Sequence, residues 1–265
     1  MFKQKVVVIT GAGSGIGRAL AREFARAGAR LALSDINAAG LAETMRGLPA
    51  GGEARSYVVD ASRHDAVFAH AEEVKRDFGT AHLVINNAGA TVIGTVEHTS
   101  IEEFRWQLDL NLYGVLYGTK AFLPMMLAQR EGWIVNISSV FGLIGCPAQG
   151  AYNMSKFAVR GLTECLWSEL EGTGVQPVCV HPGGIRTGIE KAGRRARAAG
   201  ADEEGFAAKA QAMLLTPPEQ CAADILDGLR RGRRRILTGN KSKTIWWLSR
   251  LLPDRYPALL KLLGG

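Results

Sequence analysis

The stretch of sequence that decides the fold is Val6-Val7-Val8-Ile9-Thr10-Gly11-Ala12-Gly13-Ser14-Gly15-Ile16-Gly17. Its first four residues are apolar and lead into turn residues, which is typical of a short buried strand. The residues from Ile16 to Ala27 place apolar side chains on one face and are followed by Gly28, which predicts a helix and its end. The chain therefore begins with a strand, a glycine-rich turn and a helix.

The same order of elements recurs along the rest of the chain. Further strands, apolar without alternation and so buried on both faces, are predicted at 31–33, 57–59, 83–85, 134–137, 178–180 and 236–238. Helices are predicted between them, including a long one from Ile101 to Ala128 that should bend or end near Pro124. Strands that alternate with helices predict a parallel sheet, and right-handed crossovers place helices on both of its faces. We therefore predict an α/β fold of one domain, a Rossmann-type doubly wound parallel sheet of about seven strands.

The composition excludes several classes of protein. The chain has 265 residues, of which 47% are hydrophobic and 22% are charged, as in a globular protein and unlike a disordered one. Its four cysteines form no CxxC pair and its histidines have no metal-ligand spacing, so neither a disulfide scaffold nor a metal site is expected. No apolar run reaches the roughly 18 residues of a transmembrane helix. The N-terminal apolar run is too short for a signal peptide, which predicts a cytoplasmic protein.

The net charge of +7 comes from two local clusters. Without their nine basic residues the chain has 23 basic and 25 acidic residues, so no basic surface extends over the fold. Nucleic-acid binding is not expected, because aromatic residues do not alternate with the basic ones; a solvated face or an anion contact is favoured instead. The two clusters are Lys191, Arg194, Arg195 and Arg197, and Arg230, Arg231, Arg233, Arg234 and Arg235.

The glycines of the first turn have the arrangement of a dinucleotide-binding site, because the turn follows a strand and opens a helix. In this interpretation Gly11 permits the tight turn, Gly15 lets backbone approach a pyrophosphate, and Gly17 lets the helix lie close to the sheet. The helix N-terminus offers free N–H groups and the positive end of its dipole to the anion. The alternative is a tight turn with no ligand.

Two acidic residues indicate which dinucleotide would bind. Asp35 ends the second strand, where a carboxylate accepts hydrogen bonds from both adenosine ribose hydroxyls and repels a 2′-phosphate. Neither Ser14 nor Ile36 is basic, so NAD(H) is favoured over NADP(H). Asp60, followed by Ala61, ends the third strand and either receives the adenine amino group or caps the next helix.

Further motifs follow the glycine turn in a fixed order. They are Asn86-Asn87-Ala88-Gly89 after the fourth strand, Leu110-Asn111-Leu112 in the long helix, Ser138-Ser139 at the end of the fifth strand, Tyr152-Asn153-Met154-Ser155-Lys156, and Pro182-Gly183-Gly184-Ile185-Arg186-Thr187 after the sixth strand. Together with the Gly-x-x-x-Gly-x-Gly pattern, they resemble the classical short-chain dehydrogenase/reductase family over about residues 5–240.

The resemblance implies an oxidoreductase that transfers a hydride between nicotinamide and a substrate carbon, with Tyr152 as the acid/base. It implies that Ser139 binds the substrate oxygen and that Asn111 holds a water linking Lys156 to solvent, although Asn111 could instead be a buried polar group satisfied by backbone. Ser138 is then structural or on the cofactor side. The residues implied or inferred to bind the cofactor are Gly11, Ser14, Gly15, Ile16, Gly17, Asp35, Asp60, Ala61, Asn87, Ala88, Gly89, Tyr152, Lys156, Pro182, Gly183, Ile185 and Thr187.

The chemistry of the tyrosine and the lysine can also be argued directly. Tyr152 and Lys156 are four residues apart and so are neighbours on one helix face. A nearby ammonium lowers the pKa of a phenol from its ordinary value of about 10. The tyrosine could then take a proton from an alcohol or give one to a carbonyl.

The substrate end of the site is predicted from apolar segments. The segment 140–150 should line it with Phe141, Leu143, Ile144, Cys146 and Pro147, and Val92 and Ile93 could add to the wall. The segment 188–215 is interpreted as a mobile lid. An apolar pocket favours a hydrophobic secondary alcohol or ketone. The predicted substrate pocket is Ser139, Phe141, Cys146 and Tyr152.

The chain is divided into a dinucleotide-binding domain at 1–240 and an amphipathic C-terminal extension at 241–265. The extension is expected to cover a pocket or pack on another subunit, with contact to a membrane surface as the alternative. The resemblance implies a homo-oligomer, a tetramer or a dimer, and His181 is interpreted as structural. The competing functions are a dinucleotide-binding sensor or scaffold without turnover, and an NADP(H)-dependent carbonyl reductase.

Overall fold

Seven strands form one parallel sheet in the computed structural model, which describes residues 1–189, 193–200, 203, 205 and 212–258. The strands are β1 Val6–Thr10, β2 Arg30–Asp35, β3 Ala54–Val58, β4 Leu83–Asn86, β6 Gly132–Ile137, β7 Val175–Gly183 and β9 Arg235–Gly239. Two shorter strands, β5 Val92–Ile93 and β8 Arg194–Arg195, pair with each other outside this sheet. The order across the large sheet is β3-β2-β1-β4-β6-β7-β9, so the chain reverses direction across the sheet between β1 and β4.

Helices cover both faces of the sheet. They are α1 Gly15–Arg26, α2 Ala38–Arg46, α3 His64–Phe78, α4 Ile101–Leu108, α5 Gly114–Gln129, α6 Gly150–Glu169, α7 Pro218–Arg230 and α8 Ser242–Leu251. On one face Phe24 of α1 and Leu226 of α7 pack with Ile9 of β1, and on the other Phe122 of α5 packs with Val8. Each such buried side chain stabilises the fold by about 1.5–3 kcal/mol. The prediction of a doubly wound Rossmann-type sheet of seven strands is confirmed.

The long helix, which was predicted to bend or end near Pro124, does not end there. Helix α4 continues through a wider, π-helical turn at Asp109–Tyr113 into α5, which runs past Pro124 to Gln129. Pro124 and Lys120 both lie on the exposed side of α5, where water can bond the carbonyl group that proline leaves without an N–H partner. The helix therefore tolerates the proline.

Burial on both faces holds for the inner strands but not for β3. Residues Arg55, Ser56 and Val58 of β3 are exposed, because β3 is an edge strand with a single neighbour, β2. Strand β7 also extends further than predicted and includes Pro182 and Gly183. These differences leave the positions of the strand ends, and therefore of the site, unchanged.

The segments after β7 approach the same edge of the sheet as the glycine turn. The predicted lid at 188–215 lies partly outside the described residues; within it, Arg194 and Arg195 pair with Val92 and Ile93. The predicted boundary after residue 240 falls between β9 and α8. Among the described helices, none is long and apolar enough to cross a membrane.

Candidate active site

A cleft of about 1080 Å³ opens at the carboxyl ends of the strands, where the strand order reverses. This is the position at which open α/β sheets bind their ligands. The predicted site residues that line it are Gly11, Ser14, Gly15, Ile16, Asp35, Asp60, Ala61, Asn87, Ala88, Gly89, Ser139, Phe141, Cys146, Tyr152, Lys156, Pro182, Ile185 and Thr187. Gly17, Gly183 and Asn111 do not line the cleft.

The glycine turn is held by close backbone packing. Gly11 has φ +66°, and a Cβ there would lie 2.8 Å from the Ala88 Cα atom. A Cβ on Gly17 would overlap the Gly11 carbonyl oxygen. Gly17 therefore makes room for the turn and does not face a ligand, and Gly183 does the same beside the Asn240 carbonyl oxygen, 2.7 Å from where its Cβ would lie.

The side chains of Thr10, at the end of β1, and Asn87, directly after β4, tie this turn to the centre of the sheet. The Asn87 Nδ2 atom donates to the carbonyl oxygens of Thr10 at 2.9 Å and Gly11 at 3.2 Å. The Thr10 Oγ1 atom accepts from the backbone N–H groups of Asn87 and Ala88, both at 3.0 Å. Thr10 was not among the predicted residues; a threonine at the end of a strand has no sequence signal that separates this role from an ordinary turn.

The Asp35 carboxylate is fixed at the end of β2. Its Oδ2 atom accepts from the Gly13 N–H at 2.8 Å and its Oδ1 atom from the Asn37 N–H at 2.9 Å. The nearest arginine of α1, Arg18, is bound within the protein to Thr44 at 3.0 Å and to Glu43 at 2.8 Å. The hydrogen bonds of Arg18 at this end of the cleft are therefore made to groups of the protein itself.

Of the two roles inferred for Asp60, the structure decides against the helix cap, and contact with the adenine amino group remains a prediction. Its Oδ1 atom accepts from the N–H and the hydroxyl of Ser62, at 2.9 and 2.7 Å. The helix α3 begins later, with Arg63 as the residue before its first turn, so Asp60 does not cap it. Asp60 and Ala61 both line the cleft beyond Asp35.

Tyr152, Lys156 and Ser139 come together at the other end of the cleft. The Lys156 Nζ atom lies 5.5 Å from the centre of the Tyr152 ring and donates to the Ile137 carbonyl oxygen at 2.9 Å. A hydrogen bond between Ser139 and Tyr152 lowers the pKa of the phenol, but burial raises it more, to about 12. Burial also lowers the pKa of Lys156 to about 8.

The pKa of Tyr152 nevertheless lies above its ordinary value of about 10, because burial outweighs the groups that favour the phenolate; that Lys156 lowers this pKa remains a prediction. The phenol is partly buried in the wall of the cleft, and loss of hydration disfavours its charged form more than one hydrogen bond favours it. The Lys156 ammonium donates to the backbone carbonyl of Ile137, and burial lowers the pKa of Lys156 as well. At neutral pH the tyrosine carries its proton.

Asn111 lies in the π-helical turn, behind the wall of the cleft. Its Oδ1 atom accepts from the Ala90 N–H at 3.0 Å, and its Nδ2 atom donates to the Ala90 carbonyl at 2.9 Å and to Ser155 at 3.4 Å. These contacts match the alternative of a buried amide satisfied by backbone. The water-holding role remains a prediction.

Ser138 and His181 lie beneath the Ser139 loop. The Ser138 hydroxyl donates to the Lys156 carbonyl at 2.8 Å, which is a structural contact. The His181 Nδ1 atom lies 3.0 Å from the Ser139 carbonyl oxygen, and the whole residue is buried. His181 does not line the cleft.

The substrate end is apolar and larger than predicted. Phe141, Ile144, Cys146 and Pro147 line it as expected, whereas Leu143, Val92 and Ile93 do not: Leu143 packs against Ile245, and the other two pair with β8. The lining also includes Trp106 and Leu110, which were not predicted to line it, and residues that were predicted only as parts of segments: Gln149 of 140–150, Arg194, Met213 and Leu214 of the lid, and Thr244, Ile245, Leu248 and Pro257 of the extension. The amphipathic spacing of the C-terminal residues is the one signal that could have found part of this set.

The C-terminal extension covers this end of the cleft. Ile245 packs in a cluster with Val140, Leu143 and Ile144. The Tyr256 hydroxyl accepts a hydrogen bond from the Gly145 N–H at 2.9 Å. The expectation of pocket cover therefore fits residues 242–258, and residues 259–265 lie outside the described part.

Comparison with known proteins agrees with this geometry. The family described as short chain dehydrogenase matches residues 5–198. The chain belongs to the short-chain dehydrogenase family. It is 44% identical to the putative oxidoreductase SadH of Mycobacterium tuberculosis, over 98% of this chain and 95% of that protein. It is 32% identical to estradiol 17-beta-dehydrogenase 11 of Homo sapiens, over 97% of this chain and 82% of that protein.

Solved structures of the short-chain dehydrogenase family have the same fold. A short-chain dehydrogenase/reductase from Burkholderia phymatum in complex with NAD superimposes with a TM-score of 0.89, at 33% identity over 97% of this chain and 96% of that one. A metagenomic short-chain oxidoreductase in complex with NADP has a TM-score of 0.71, at 30% identity over 86% and 91% of the two chains. This chain is therefore an oxidoreductase of a family that binds both nicotinamide dinucleotides.

Proposed function

We propose that this protein is an NAD(H)-dependent dehydrogenase that interconverts hydrophobic secondary alcohols and ketones, with Tyr152 as the acid/base. The observation that carries the proposal is the meeting of Ser139, Tyr152 and Lys156 in a cleft whose other end holds a fixed carboxylate, Asp35. A sensor or scaffold would need the dinucleotide end alone.

The residues of the glycine turn fit a dinucleotide. Ser14, which precedes α1, makes no side-chain hydrogen bond to the first turn of the helix, and no acidic residue lies in that turn. The N–H groups at this end are therefore available to a pyrophosphate. Asp35 would hold the adenosine ribose, and Lys156 and the backbone near Ile185 would hold the nicotinamide end; the nicotinamide supplies or accepts the hydride when it is bound.

The preference for NAD(H) rests on the charges around Asp35. A carboxylate at this position repels a 2′-phosphate. Ser14 and Ile36 are uncharged, Arg18 is bound to Glu43 and Thr44, and Arg30 is paired with Glu53. A phosphate here would meet the negative charge of Asp35, while Arg18 and Arg30 are each paired with a glutamate.

The chemistry of the tyrosine follows from its protonation. With a pKa of about 12, Tyr152 is protonated at neutral pH and can donate to a ketone oxygen held by the Ser139 hydroxyl. In the reverse direction the phenol must first lose its proton, and the charge on Lys156 stabilises the phenolate that results. Alcohol oxidation is therefore expected to become faster as pH rises, and ketone reduction is expected to be favoured at neutral pH.

The substrate class follows from the wall of the cleft. Most of the side chains that line the substrate end are apolar, with Phe141, Ile144 and Ile245 among them, so a bulky apolar substrate would be desolvated at low cost. One relative is an estradiol dehydrogenase, whose name describes an apolar secondary alcohol as substrate. The homo-oligomer stays a prediction; Met154 and Phe157, exposed on α6, are apolar surface that a second copy could cover.

The test is NADH formation from NAD with a graded series of secondary alcohols, with NADP in parallel and Tyr152→Phe beside the native protein. Loss of the proton carrier should lower kcat by about 10²–10⁴-fold and leave the Kd for NADH within about twofold. Tyr113→Phe, at an exposed tyrosine outside the cleft, is the matched control and should have native kcat.

Three results would contradict the proposal. NADH binding without turnover of any alcohol or ketone would favour the sensor. Full activity of Tyr152→Phe would assign the proton transfer to another group. Faster turnover with NADP than with NAD would make the protein the NADP(H)-dependent reductase.

A further inference from the structure

Arg235, the first residue of β9, lies between two tryptophans from distant parts of the chain. Its guanidinium carbon is 5.0 Å from the ring centre of Trp167 on α6 and 4.2 Å from that of Trp246 on α8. Its Nη2 atom also donates to Glu164 at 2.6 Å. A guanidinium that lies over two indole rings and is anchored by a carboxylate has little freedom to move.

The same guanidinium holds the orientation of His181. The Arg235 Nη1 atom is 3.0 Å from the His181 Nε2 atom, and the His181 Nδ1 atom is 3.0 Å from the Ser139 carbonyl oxygen. An arginine can only donate and a carbonyl can only accept, so Nε2 accepts and Nδ1 carries the proton. Burial holds the pKa of His181 at about 4, so the ring stays neutral in this form at neutral pH.

The Ser139 carbonyl oxygen is the end of this series of contacts. It accepts from His181 and also from the Gly142 N–H at 2.9 Å. The Ser139 hydroxyl accepts from the Phe141 N–H at 3.1 Å in the same turn. The backbone that orients the Ser139 side chain is therefore held from below by a buried ring.

Helix α8 touches the active site in two ways. Ile245 and Leu248 line the substrate cleft. Trp246, between them in sequence, contacts Arg235 and is also within 5.8 Å of Arg160 and 4.5 Å of Arg250, measured from guanidinium carbon to ring centre. The same helix thus forms a wall of the cleft and stacks on the arginine that orients His181.

We propose that His181 and Arg235 are positioning residues that link the docking of the C-terminal helix, through Trp246, to the placement of Ser139. The proposal rests on the proposed function, in which Ser139 binds the substrate oxygen. When Trp246 leaves its place, Arg235 loses one of its two indole contacts, His181 loses its fixed tautomer, and the Ser139 turn loses a hydrogen bond. The site would then bind cofactor normally but bind the reacting oxygen poorly.

The first test compares two adjacent tryptophans. Trp246→Ala should lower kcat about tenfold or more, because small displacements of a reacting group cost up to about a hundredfold, while the Kd for NADH stays within about twofold. Trp247→Ala is the matched control, because this tryptophan is 59% exposed and does not line the cleft; it should keep native kcat. A wall residue alone would raise KM without lowering kcat.

The second test changes the histidine. His181→Leu should lower kcat as Trp246→Ala does, and His181→Asn, whose amide can still donate to the Ser139 carbonyl, should restore most of it. The apparent pKa in the pH profile of kcat/KM should rise in His181→Leu, because the Ser139 hydroxyl holds the pKa of Tyr152 down. The charged groups near the two side chains do not change between the variants: Lys156 faces Tyr152, and Arg235, Arg160 and Glu164 face His181. The quantity to compare is therefore the difference between the two pH profiles and not an absolute pKa.

A measurement without turnover separates this proposal from the proposed function. Amide hydrogen exchange at residues 139–145 should be faster in Trp246→Ala than in Trp247→Ala, whether or not a substrate is known. If Trp246→Ala does not fold, Arg235→Gln gives the same comparison. The proposal would be overturned by native kcat in His181→Leu. It would also be overturned by a native pH profile in His181→Leu together with native amide exchange in Trp246→Ala, even in an active enzyme. Inactivity of the native protein toward all substrates would instead contradict the proposed function.

Discussion

The two ends of the cleft are built in different ways. The adenosine end is shaped mainly by backbone groups. The N–H groups of Gly13 and Asn37 donate to the Asp35 carboxylate at 2.8 and 2.9 Å, and the Asn87 amide donates to the Thr10 carbonyl oxygen of the turn at 2.9 Å. At the substrate end, the wall is made of side chains from separate stretches of the chain: Trp106, Phe141, Ile144, Cys146, Met213, Ile245 and Leu248.

Because of this difference, one end of the cleft specifies the cofactor and the other specifies the substrate. A backbone turn that relies on missing Cβ atoms has one shape and suits one kind of ligand, here a dinucleotide. A wall of side chains can change its shape by substitution without disturbing the sheet. Changes at the first end should therefore affect the cofactor with every substrate, and changes at the second should affect the substrate alone.

The largest effect is expected for Gly17→Ala at the adenosine end. The added Cβ would overlap the Gly11 carbonyl oxygen and lie 2.8 Å from the Asn87 amide nitrogen, so the turn must move. We expect at least about a hundredfold weaker NADH binding, measured by fluorescence titration, because overpacking costs about 1–3 kcal/mol or more. Gly161→Ala, in helix α6 with no atom near its Cβ, is the control and should bind NADH normally and unfold at a slightly higher temperature. Native NADH affinity in Gly17→Ala would mean that the turn does not shape the cofactor site.

A smaller effect is expected for Asp35→Ala at the same end. Removing the carboxylate removes the repulsion of a 2′-phosphate and the hydrogen bonds to the ribose, which are each worth about 1.5–3 kcal/mol when the acceptor is charged. The ratio of kcat/KM for NAD to that for NADP should fall about thirtyfold. Asp65→Ala, at a carboxylate 93% exposed on α3, should leave this ratio unchanged. An unchanged ratio in Asp35→Ala would place the selectivity elsewhere.

The smallest effect is expected for Ile245→Ala at the substrate end. This side chain is 9% exposed and lines the cleft, so truncating it should lower kcat/KM about tenfold for a bulky apolar alcohol and much less for a small one. The Kd for NADH should not change. Leu251→Ala, on the same helix at a side chain 69% exposed, should have native kinetics. Equal losses for large and small alcohols would argue that Ile245 supports the fold and not the substrate.

Rules based on short stretches of sequence predicted the strands and helices correctly. They failed for properties that depend on the solvent exposure or burial of a side chain in the folded protein. The alternation of apolar runs with helices predicted the sheet, because strands buried on both faces need unbroken apolar sequence. The rule for Pro124 did not hold, because the exposed side of α5 lets water satisfy the freed carbonyl. The pKa of Tyr152 was predicted from its neighbour Lys156, but burial by residues from other parts of the chain raises it to about 12.

The sequence by itself determined the parallel sheet, the glycine turn with Asp35, and the pairing of Tyr152 with Lys156 on one helix face, since each depends on residues close together in the chain. Only the tertiary structure decided that Asn111 binds Ala90, that Ile245 and Leu248 of the C-terminal helix line the substrate end, and that Arg235 and His181 lie beneath Ser139. These contacts join residues far apart in sequence. They arise from packing between whole elements, and no short-range spacing in the chain encodes them.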